Sequence, residues 1–418
     1  MNAVYYALNP WWENKDFDVG IQRKSYVQKI PGYLKRKQIE LIIGSRRIGK
    51  TTFLKQIIKE CRQQQVDAKN ILYLALDHPR LAQFSISEHL KNFRTEFAVP
   101  RDQKLYIFLD EIQESKNWEK ELKSLYDLEN IKFFCTGSTS SLIERQGGKL
   151  TGRQIITTVY PLSYAEFLQF KKEAPSKAED YQYERLFEEY LNVGGYPENV
   201  LNPSQEYLKN LLDDIIARDI MRIYNIKRGD ILKDLMVLLA GAVGNRISFN
   251  KLSKILEVSL ETVRDYMSHL ESAFLIKTMP KWSASHNDRV YAQKKVYLFD
   301  TGIKTLLTGG GDSGAKLENT IFINFLKAGQ SCGYYADSKK EIDFLLGSFQ
   351  APQAVEAKYV DQFDWEDKKY DAIKSFLKKF PKTEEVTIIS KSVENGLKEG
   401  QTKVSFIPAW TYFLKNTS

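Results

Sequence analysis

The chain has 418 residues, of which 43% are hydrophobic and 12% aromatic, so it is long enough for about two to four domains with separate cores. Its three cysteines have neither disulfide nor metal-ligand spacing, no apolar run reaches the ~18 residues of a membrane span, and no signal peptide is visible; we therefore expect a cytoplasmic protein with no zinc site and no membrane partner. The net charge of +8 is spread along the chain, which suits a lysine-rich exterior and, on weaker grounds, a polyanionic partner such as DNA.

A glycine-rich loop follows the first predicted strand, residues 39–43, and leads into a helical pattern. Its glycines allow main-chain N–H groups to surround phosphates, Lys50 can reach the β and γ oxygens, and the Thr51 hydroxyl is placed to hold Mg²⁺ at a helix N-terminus. The loop therefore predicts a site for a nucleoside triphosphate with Mg²⁺. Its residues are Gly44, Ser45, Arg46, Arg47, Ile48, Gly49, Lys50, Thr51 and Thr52.

A second buried-strand pattern, residues 105–109, ends in a pair of acidic residues. Asp110 is suited to the Mg²⁺ shell and Glu111 to polarising the attacking water, so the pair predicts hydrolysis and not binding alone. The alternative is that the two carboxylates only cap the strand. We expect the apolar run 71–76 to supply a strand that separates the two nucleotide motifs in the sheet.

The strand predicted at residues 131–135 leads to a small polar tip, where Ser138 is the candidate for sensing the γ-phosphate. Arg153 precedes a β-rich run and has two interpretations of equal weight. It either reaches into a neighbouring subunit's ATP site, where it would neutralise charge on the transferring phosphoryl group, or pairs with an acidic helix as a structural residue. The first interpretation implies an ATP-dependent homo-oligomer.

Five segments together carry a resemblance to a known family, and their order is more specific than any one of them. The chain resembles, over about residues 22–359, the prokaryotic AAA+ superfamily ATPases with a C-terminal domain of unknown function related to PD-(D/E)XK nucleases. This resemblance implies ATP binding at 44–52, a Walker B pair at Asp110 and Glu111, and a helical lid after Tyr164. An N-terminal extension containing Trp11 and Trp12 is longer than the family pattern needs. The segments are GSRRIGKTTFL, FLDEIQESKNWEKELKSLYD, CTGSTSSLIERQGGKLTGR, YPLSYAEF and VGGYPE.

Beyond the predicted lid helices, around 183–192 and 206–224, the pattern changes to helix-turn-helix. A short helix at 248–256 and a turn lead to Ser259, the expected N-cap of a second helix, 260–272. Strands predicted at 273–279 and 294–299 would form the wing of a winged helix. Winged helices also bind proteins, and acidic residues on the second helix weigh against DNA. With DNA bound, we expect Ser259, Glu261, Thr262 and Arg264 near the groove and Lys251, Lys254 and Lys277 on phosphates.

Three residues near the C-terminus match the acid, acid, x, Lys pattern of a nuclease. Asp343 and Glu356 lie in predicted strands and would hold Mg²⁺, while Lys358 would orient or activate water. Glu318, in a predicted helix, would add a ligand or support the others. The motif is loose in a lysine-rich chain, and folds of this kind often keep DNA-binding geometry without cleavage.

The predicted fold class is α/β: a P-loop αβα sandwich (1–159), a helical lid (160–244), a winged helix-turn-helix (245–307) and a PD-(D/E)XK nuclease-like α/β domain (308–418). The glycine-rich segment 308–315 is predicted to be a flexible linker that lets the last domain move. The predicted function is an AAA+ type ATPase, with ATP and Mg²⁺ as cofactors, that couples hydrolysis to a DNA transaction. The alternatives are an ATP-controlled Mg²⁺-dependent nuclease and a nucleotide-dependent switch that recruits protein partners.

Overall fold

The computed structural model describes residues 3–138, 150–173, 179–337 and 340–416, and its two compact units are Met1–Tyr160 and Pro161–Ser418. Residues 139–149 of the third family segment lie outside the described residues. The fold is mixed α/β. Within the described ranges, no helix combines the length and the apolar character that spanning a membrane requires. The finer subdivision of 161–418 into lid, winged helix and nuclease-like domain stays a prediction.

The first unit is built on a five-stranded parallel sheet in the order β2-β3-β4-β1-β5. Strands β1 and β4 are buried along their whole length, and the charged residues that they carry, Glu40 and Lys132, pair with each other at 3.0 Å. The expectation that 71–76 separates the two nucleotide motifs is wrong: β4 lies between β1 and β3, and β2 is at the edge. An apolar run shows that a strand is buried, but not which strand it pairs with. The strands are β1 (Ile39–Ile43), β2 (Ile71–Ala75), β3 (Leu105–Asp110), β4 (Ile131–Gly137) and β5 (Gln154–Thr158).

The helix after the glycine loop begins directly at Lys50, with Gly49 as its N-cap. Its inward face carries buried Phe53, Leu54, Ile57 and Ile58, which pack on the sheet and fix the helix start beneath the loop. The described α-helices of this unit are α1 (Ala3–Leu8), α2 (Lys24–Val27), α3 (Ile30–Lys35), α4 (Lys50–Gln63), α5 (Ile86–Phe97) and α6 (Trp118–Leu128), with 3₁₀ turns at Pro10–Glu13, Ala68–Asn70 and Ile112–Glu114.

The N-terminal extension covers the exposed edge of β2. The Asn9 amide pairs with the main chain of Tyr73 as a neighbouring strand would, donating to its carbonyl at 3.0 Å and accepting from its N–H at 2.7 Å. The indole N–H groups of Trp11 and Trp12 both donate to the Ile71 carbonyl, at 3.3 and 2.8 Å. Edge strands with unpaired main-chain groups invite aggregation, so this extension protects the sheet.

The first half of the second unit is helical and ends in a three-stranded antiparallel sheet, order β6-β8-β7. Ser259 caps the second helix of the predicted helix-turn-helix by accepting from the Thr262 N–H at 3.0 Å, as expected. The elements are α7 (Tyr164–Lys171), α8 (Asp180–Val193), α9 (Pro197–Leu201), α10 (Gln205–Asp214), a π-helix (Ile215–Met221), α11 (Arg222–Tyr224), α12 (Gly229–Gly241), β6 (Arg246–Ile247), α13 (Phe249–Ile255), α14 (Leu260–Ser272), β7 (Ile276–Met279), α15 (His286–Tyr291), β8 (Lys294–Leu298) and α16 (Thr301–Thr308).

The second half contains a mixed six-stranded sheet in the order β13-β14-β12-β11-β10-β9. Its core includes Ile342, Tyr370, Ile388 and Phe406. The elements are α17 (Ser313–Lys327), β9 (Cys332–Asp337), β10 (Lys340–Gly347), β11 (Pro352–Lys358), a 3₁₀ turn (Lys368–Tyr370), α18 (Asp371–Lys379), β12 (Glu385–Ser390), β13 (Asn395–Glu399), β14 (Thr402–Pro408) and α19 (Ala409–Lys415).

The predicted linker 308–315 is shorter than expected, because α17 already begins at Ser313 with Asp312 as its N-cap. The Asn319 side chain of α17 exchanges two hydrogen bonds with the main chain of Leu298 in β8, at 2.7 and 2.8 Å. Lys316 also donates to Asn192 of α8 at 2.7 Å. The expectation that the linker lets the last part of the chain move is therefore not met: α17 is bonded into the same compact unit as β8 and α8.

Candidate functional site

The glycine loop has the backbone shape of a phosphate cradle. Gly44 and Gly49 have φ angles of 154° and 102°, a region that L side chains rarely adopt. A Cβ on Gly44 would lie 2.4 Å from the Val159 carbonyl oxygen. The loop therefore passes so close to Val159 that position 44 requires glycine. The buried Lys50 ammonium donates to the Gly44 and Ser45 carbonyls, both at 3.0 Å. The lysine is thus held over the loop, where phosphate oxygens would replace these carbonyls.

Asp110 is fixed at the end of β3 by three hydroxyl groups. The Thr51 hydroxyl donates to its Oδ2 at 2.7 Å, the Tyr73 hydroxyl donates to the same oxygen at 2.8 Å, and Thr136 donates to Oδ1. The structure therefore brings together the two residues predicted to share Mg²⁺. A hydroxyl and a carboxylate are oxygen ligands of the kind Mg²⁺ prefers, so these residues fit the ion, and Thr51 and Asp110 would hold it.

Glu111 lies beside Asp110 in the left-handed region, with φ 54°. Both of its carboxylate oxygens accept from the Ser138 hydroxyl, at 3.0 and 2.8 Å, and Oε2 also accepts from Gln113. Burial raises the pKa of Glu111, but the charge of Lys50 and the hydrogen bonds from Gln113 and Ser138 outweigh it and hold the pKa below its usual value. The side chain is therefore an ionised acceptor at neutral pH.

Ser138 thus lies where the sequence predicted, at the end of β4 between Glu111 and the Lys50 ammonium, which is 3.4 Å from its hydroxyl. Arg153 lies elsewhere and forms a bidentate ion pair with Asp127 of α6, at 2.9 and 3.0 Å. That pairing corresponds to the structural interpretation of this arginine. Its role toward a neighbouring subunit stays a prediction.

Sequence reasoning missed three residues that hold the acidic pair: Tyr73, Gln113 and Thr136. Thr136 also accepts from the Glu111 N–H at 2.9 Å, so one hydroxyl links β4 to both carboxylate residues. Its place in the small polar tip of β4 was visible in the sequence. Tyr73 offered no such indication, because it reads as one more apolar residue in a buried strand.

Comparisons with known proteins agree with this geometry. A family model described as "AAA domain" matches residues 36–168, and one described as "Domain of unknown function (DUF8612)" matches residues 184–313. The parallel sheet, the glycine loop and the acidic pair, together with this match, show the fold of an AAA-type P-loop ATPase.

Relatives extend over most of the chain. An uncharacterized protein of Haemophilus influenzae is 30% identical over 337 residues, which cover 78% of this chain and 83% of that protein, so the chain belongs to the same family as this protein. An uncharacterized protein of Methanocaldococcus jannaschii is 28% identical over 344 residues, covering 78% of this chain and 75% of the relative. Among solved structures, the Walker-type ATPase of Pyrococcus abyssi has a TM-score of 0.41 and 14% identity, covering 69% of this chain and 95% of that chain.

The second predicted site brings Glu318, Asp343, Glu356 and Lys358 together in unit 161–418. The Asp343 N–H donates to Glu356 at 2.9 Å, and the Ala357 N–H donates to Asp343 at 3.1 Å. However, a residue that the sequence did not suggest, Lys295 of β8, contacts Glu318 at 2.9 Å and Asp343 at 3.2 Å. Among the described residues, no three or more His, Cys, Asp or Glu side chains are arranged to hold a metal ion.

Lys358 pairs with one of the acidic residues of the predicted site. Its ammonium donates to Glu356 at 2.6 Å. Burial lowers its pKa, but the charges of Glu356 and Asp343 outweigh burial and raise the pKa above the ordinary lysine value. A lysine in this state is a cation that can orient a group by donating hydrogen bonds. The role of Lys358 toward an attacking water stays a prediction.

Proposed function

We propose that the chain hydrolyses ATP and couples this reaction to an action on DNA. The observation that carries the hydrolysis part is the convergence of Lys50, Thr51, Asp110, Glu111 and Ser138 on one end of the parallel sheet. Lys50 would leave the loop carbonyls for the β and γ phosphate oxygens, and backbone N–H groups of the loop would bind the same phosphates. Mg²⁺, when bound, would neutralise charge on the β and γ oxygens.

Glu111 would orient the attacking water and accept its proton, since the carboxylate is ionised and lies next to the γ-phosphate end of the site. In the structure, its oxygens are occupied by Ser138 and Gln113. A γ-phosphate would offer Ser138 another acceptor, which would release one side of Glu111 for water. Ser138 would thus report the presence of ATP to the catalytic carboxylate.

The DNA part is supported by the helix-turn-helix pattern and by the charges on its surface. Val263, Met267 and Leu270 are buried on the inner side of α14, which leaves Arg264 on the exposed side. We propose that β7 and β8 form the wing of a winged helix and that the six-stranded sheet has a nuclease-like fold. Ser259, Glu261 and Thr262 would accompany Arg264 toward the groove. Lys277, in contrast, contacts Glu271 at 3.5 Å, so it would have to exchange this partner for a phosphate.

Charge reversal of the exposed Lys251 and Lys254 tests this surface. The double variant Lys251→Glu, Lys254→Glu is expected to weaken binding of duplex DNA by about tenfold or more and to reduce the salt dependence of binding, because two phosphate contacts are lost. Fluorescence anisotropy with labelled duplex measures this. The matched control, Lys382→Glu with Lys398→Glu, makes the same charge change at exposed residues of the six-stranded sheet region. If the two double variants lost the same DNA affinity, the net charge of the chain would explain the binding, and a contact through the helix-turn-helix would be contradicted.

Arg153 enters the proposal as a residue that reaches the ATP site of a neighbouring copy. Its side chain is 31% exposed, and its guanidinium is paired with Asp127. Arg153→Ala is expected to lose turnover while keeping nucleotide affinity, and mixing it with Glu111→Gln protein is expected to restore part of the activity. Phosphate release across mixing ratios measures this. Asp127→Ala is the control, because it removes the ion pair but keeps the guanidinium. If Arg153→Ala and Asp127→Ala lowered turnover equally and mixing with Glu111→Gln protein restored no activity, Arg153 would be a structural residue.

Two other functions remain distinguishable from this one. A Mg²⁺-dependent nuclease is favoured by the cluster of Asp343, Glu356 and Lys358, and it would release cleaved DNA in the same reactions. A nucleotide-dependent switch would hydrolyse ATP without responding to DNA and would bind protein partners through the same surfaces. DNA stimulation of turnover separates the first two from the switch, and cleavage products on a gel separate the nuclease from the ATPase.

A further inference from the structure

The centre of the C-terminal acidic cluster is occupied by a lysine of the chain itself. Lys295 is 1% exposed, and its ammonium lies 2.9 Å from Glu318, 2.8 Å from Glu341 and 3.2 Å from Asp343. An ammonium has three N–H donors, and here three different carboxylates surround it. The ammonium thus lies between Glu318 and Asp343, two of the side chains predicted to hold a divalent cation, and with the ammonium in place the described carboxylates are not arranged to hold one.

The main chain fixes Lys295 in this position. β8 is the central strand of its sheet, and Lys295 is paired in register with Arg246 on one side and Met279 on the other. The ammonium can therefore leave the cluster only by rotating its own stem within a packed interior. Moving it away would leave either an unpaired buried cation or unpaired buried carboxylates, and both arrangements are costly.

Glu318 is held in place from two sides. Glu318 accepts from the Tyr297 hydroxyl at 2.7 Å, and a Cβ on Gly244, whose φ is +78°, would lie 2.7 Å from its Oε2. Position 244 therefore requires glycine, and its main chain packs directly against the Glu318 carboxylate.

The charges around the ammonium nearly balance. Arg246 contacts Glu341 at 3.3 Å, and Lys358 contacts Glu356 at 2.6 Å. Among the described residues, these contacts bring three cationic side chains, Lys295 included, against four carboxyl groups. The cluster therefore has most of its counter-charge from the protein itself.

We infer that Lys295 is the resident cation of this cluster. In the native chain, Glu318, Glu341 and Asp343 bind the ammonium in place of Mg²⁺, and the cluster is an ionic junction that ties β8 to α17 and β10. The site is then a latent divalent-cation site that becomes available only when the ammonium is removed. This inference concerns unit 161–418 alone and holds or fails independently of ATP hydrolysis.

The test uses the full chain without nucleotide, in an Asp110→Asn background so that the ATP site contributes no metal binding. Mn²⁺ binding is measured by electron paramagnetic resonance after removal of metals with a chelator. The background chain is expected to bind no Mn²⁺ at micromolar concentration, whereas Lys295→Met, which keeps the stem and removes the charge, is expected to bind about one ion. Adding Asp343→Asn to Lys295→Met should abolish that binding. Lys294→Met, one residue away in β8, should behave like the background.

Two results would overturn the inference. The first is Mn²⁺ binding by the background chain with its native Lys295 that Asp343→Asn abolishes, because the ion and the ammonium would then not compete. The second is a folded Lys295→Met chain that binds no Mn²⁺. If Lys295→Met does not fold, Lys295→Gln, which also removes the charge, takes its place in the titration, and a folded Lys295→Gln chain that binds no Mn²⁺ overturns the inference.

Discussion

Lys50→Ala is expected to abolish measurable ATP binding, whereas Glu111→Gln is expected to bind ATP normally and to hydrolyse it about 10²–10⁴ times more slowly. The lysine supplies the positive charge over the loop that phosphate oxygens need, and its ammonium is held there by the Gly44 and Ser45 carbonyls. Glutamine keeps the size of Glu111 but cannot accept the proton of the attacking water. Binding is measured with a fluorescent ATP analogue and turnover by phosphate release.

The two variants separate binding from chemistry. Lys55→Ala, in the same helix α4 as Lys50, removes an equal charge away from the loop and should leave both quantities close to wild type. Wild-type turnover by Glu111→Gln would remove the proposed role of this carboxylate and leave Asp110 as the residue that acts through the metal. Retention of ATP affinity by Lys50→Ala would place the nucleotide outside the glycine loop.

The largest expected effect on stability is that of Asp300. This buried carboxyl accepts from the N–H groups of Gly195 at 2.6 Å, Gly302 at 2.9 Å and Ile303 at 3.3 Å, and it caps α16. Asp300→Ala leaves three buried donors without a partner and should destabilise unit 161–418 by about 2–5 kcal/mol. A thermal unfolding scan of the full chain should show a lower Tm, by about 5–15 °C.

Two further variants sharpen this test. Gly194→Ala should have a similar effect, because a Cβ there would lie 2.2 Å from the Asp300 Oδ1 and the residue has φ +79°. Asp361→Ala, at an exposed aspartate, should leave the Tm unchanged. An unchanged Tm in Asp300→Ala would show that water or a neighbouring group satisfies the three donors.

The effect of Asp300 should also depend on pH. Burial raises the pKa of Asp300 from 3.8 to about 6, despite the three N–H donors that favour the carboxylate. Because the folded-state pKa exceeds the unfolded one, this group stabilises the fold most below its unfolded pKa and less as the pH rises through 6. The stability advantage of the wild type over Asp300→Asn is therefore expected to be larger at about pH 5 than at about pH 8. An advantage that grows with pH would contradict the raised pKa.

The ATP site could be predicted because its parts are local in sequence. The glycine loop, its lysine and the helix that follows occupy consecutive residues. The acidic pair comes directly after an apolar run, and such a run indicates a buried strand. The N-cap at Ser259 was predictable for the same reason. Each of these features depends on neighbours within one helical turn or one strand.

The features that were missed or wrong depend on pairing between distant segments. Lys295 reaches Glu318 and Asp343 across 23 and 48 residues of sequence, and no pattern around a lysine in a β-strand indicates that its ammonium is buried. The position of β4 between β1 and β3 is likewise a matter of strand pairing. The two glycines of the VGGYPE segment are visible in the sequence. The residue that approaches them, Asp300, is 105 residues away from Gly195 along the chain, so the sequence pattern does not show why glycine is needed there.

The most direct test of the central claim is ATP turnover by the full wild-type chain, measured by phosphate release with Mg²⁺ while duplex DNA is titrated in. We predict turnover that depends on Mg²⁺, rises severalfold with DNA to a plateau, and loses this rise in the Lys251→Glu, Lys254→Glu variant while its turnover without DNA is unchanged. Turnover that stays the same at every DNA concentration would contradict coupling to DNA and favour the switch. A chain that releases no phosphate under any of these conditions would contradict the account as a whole.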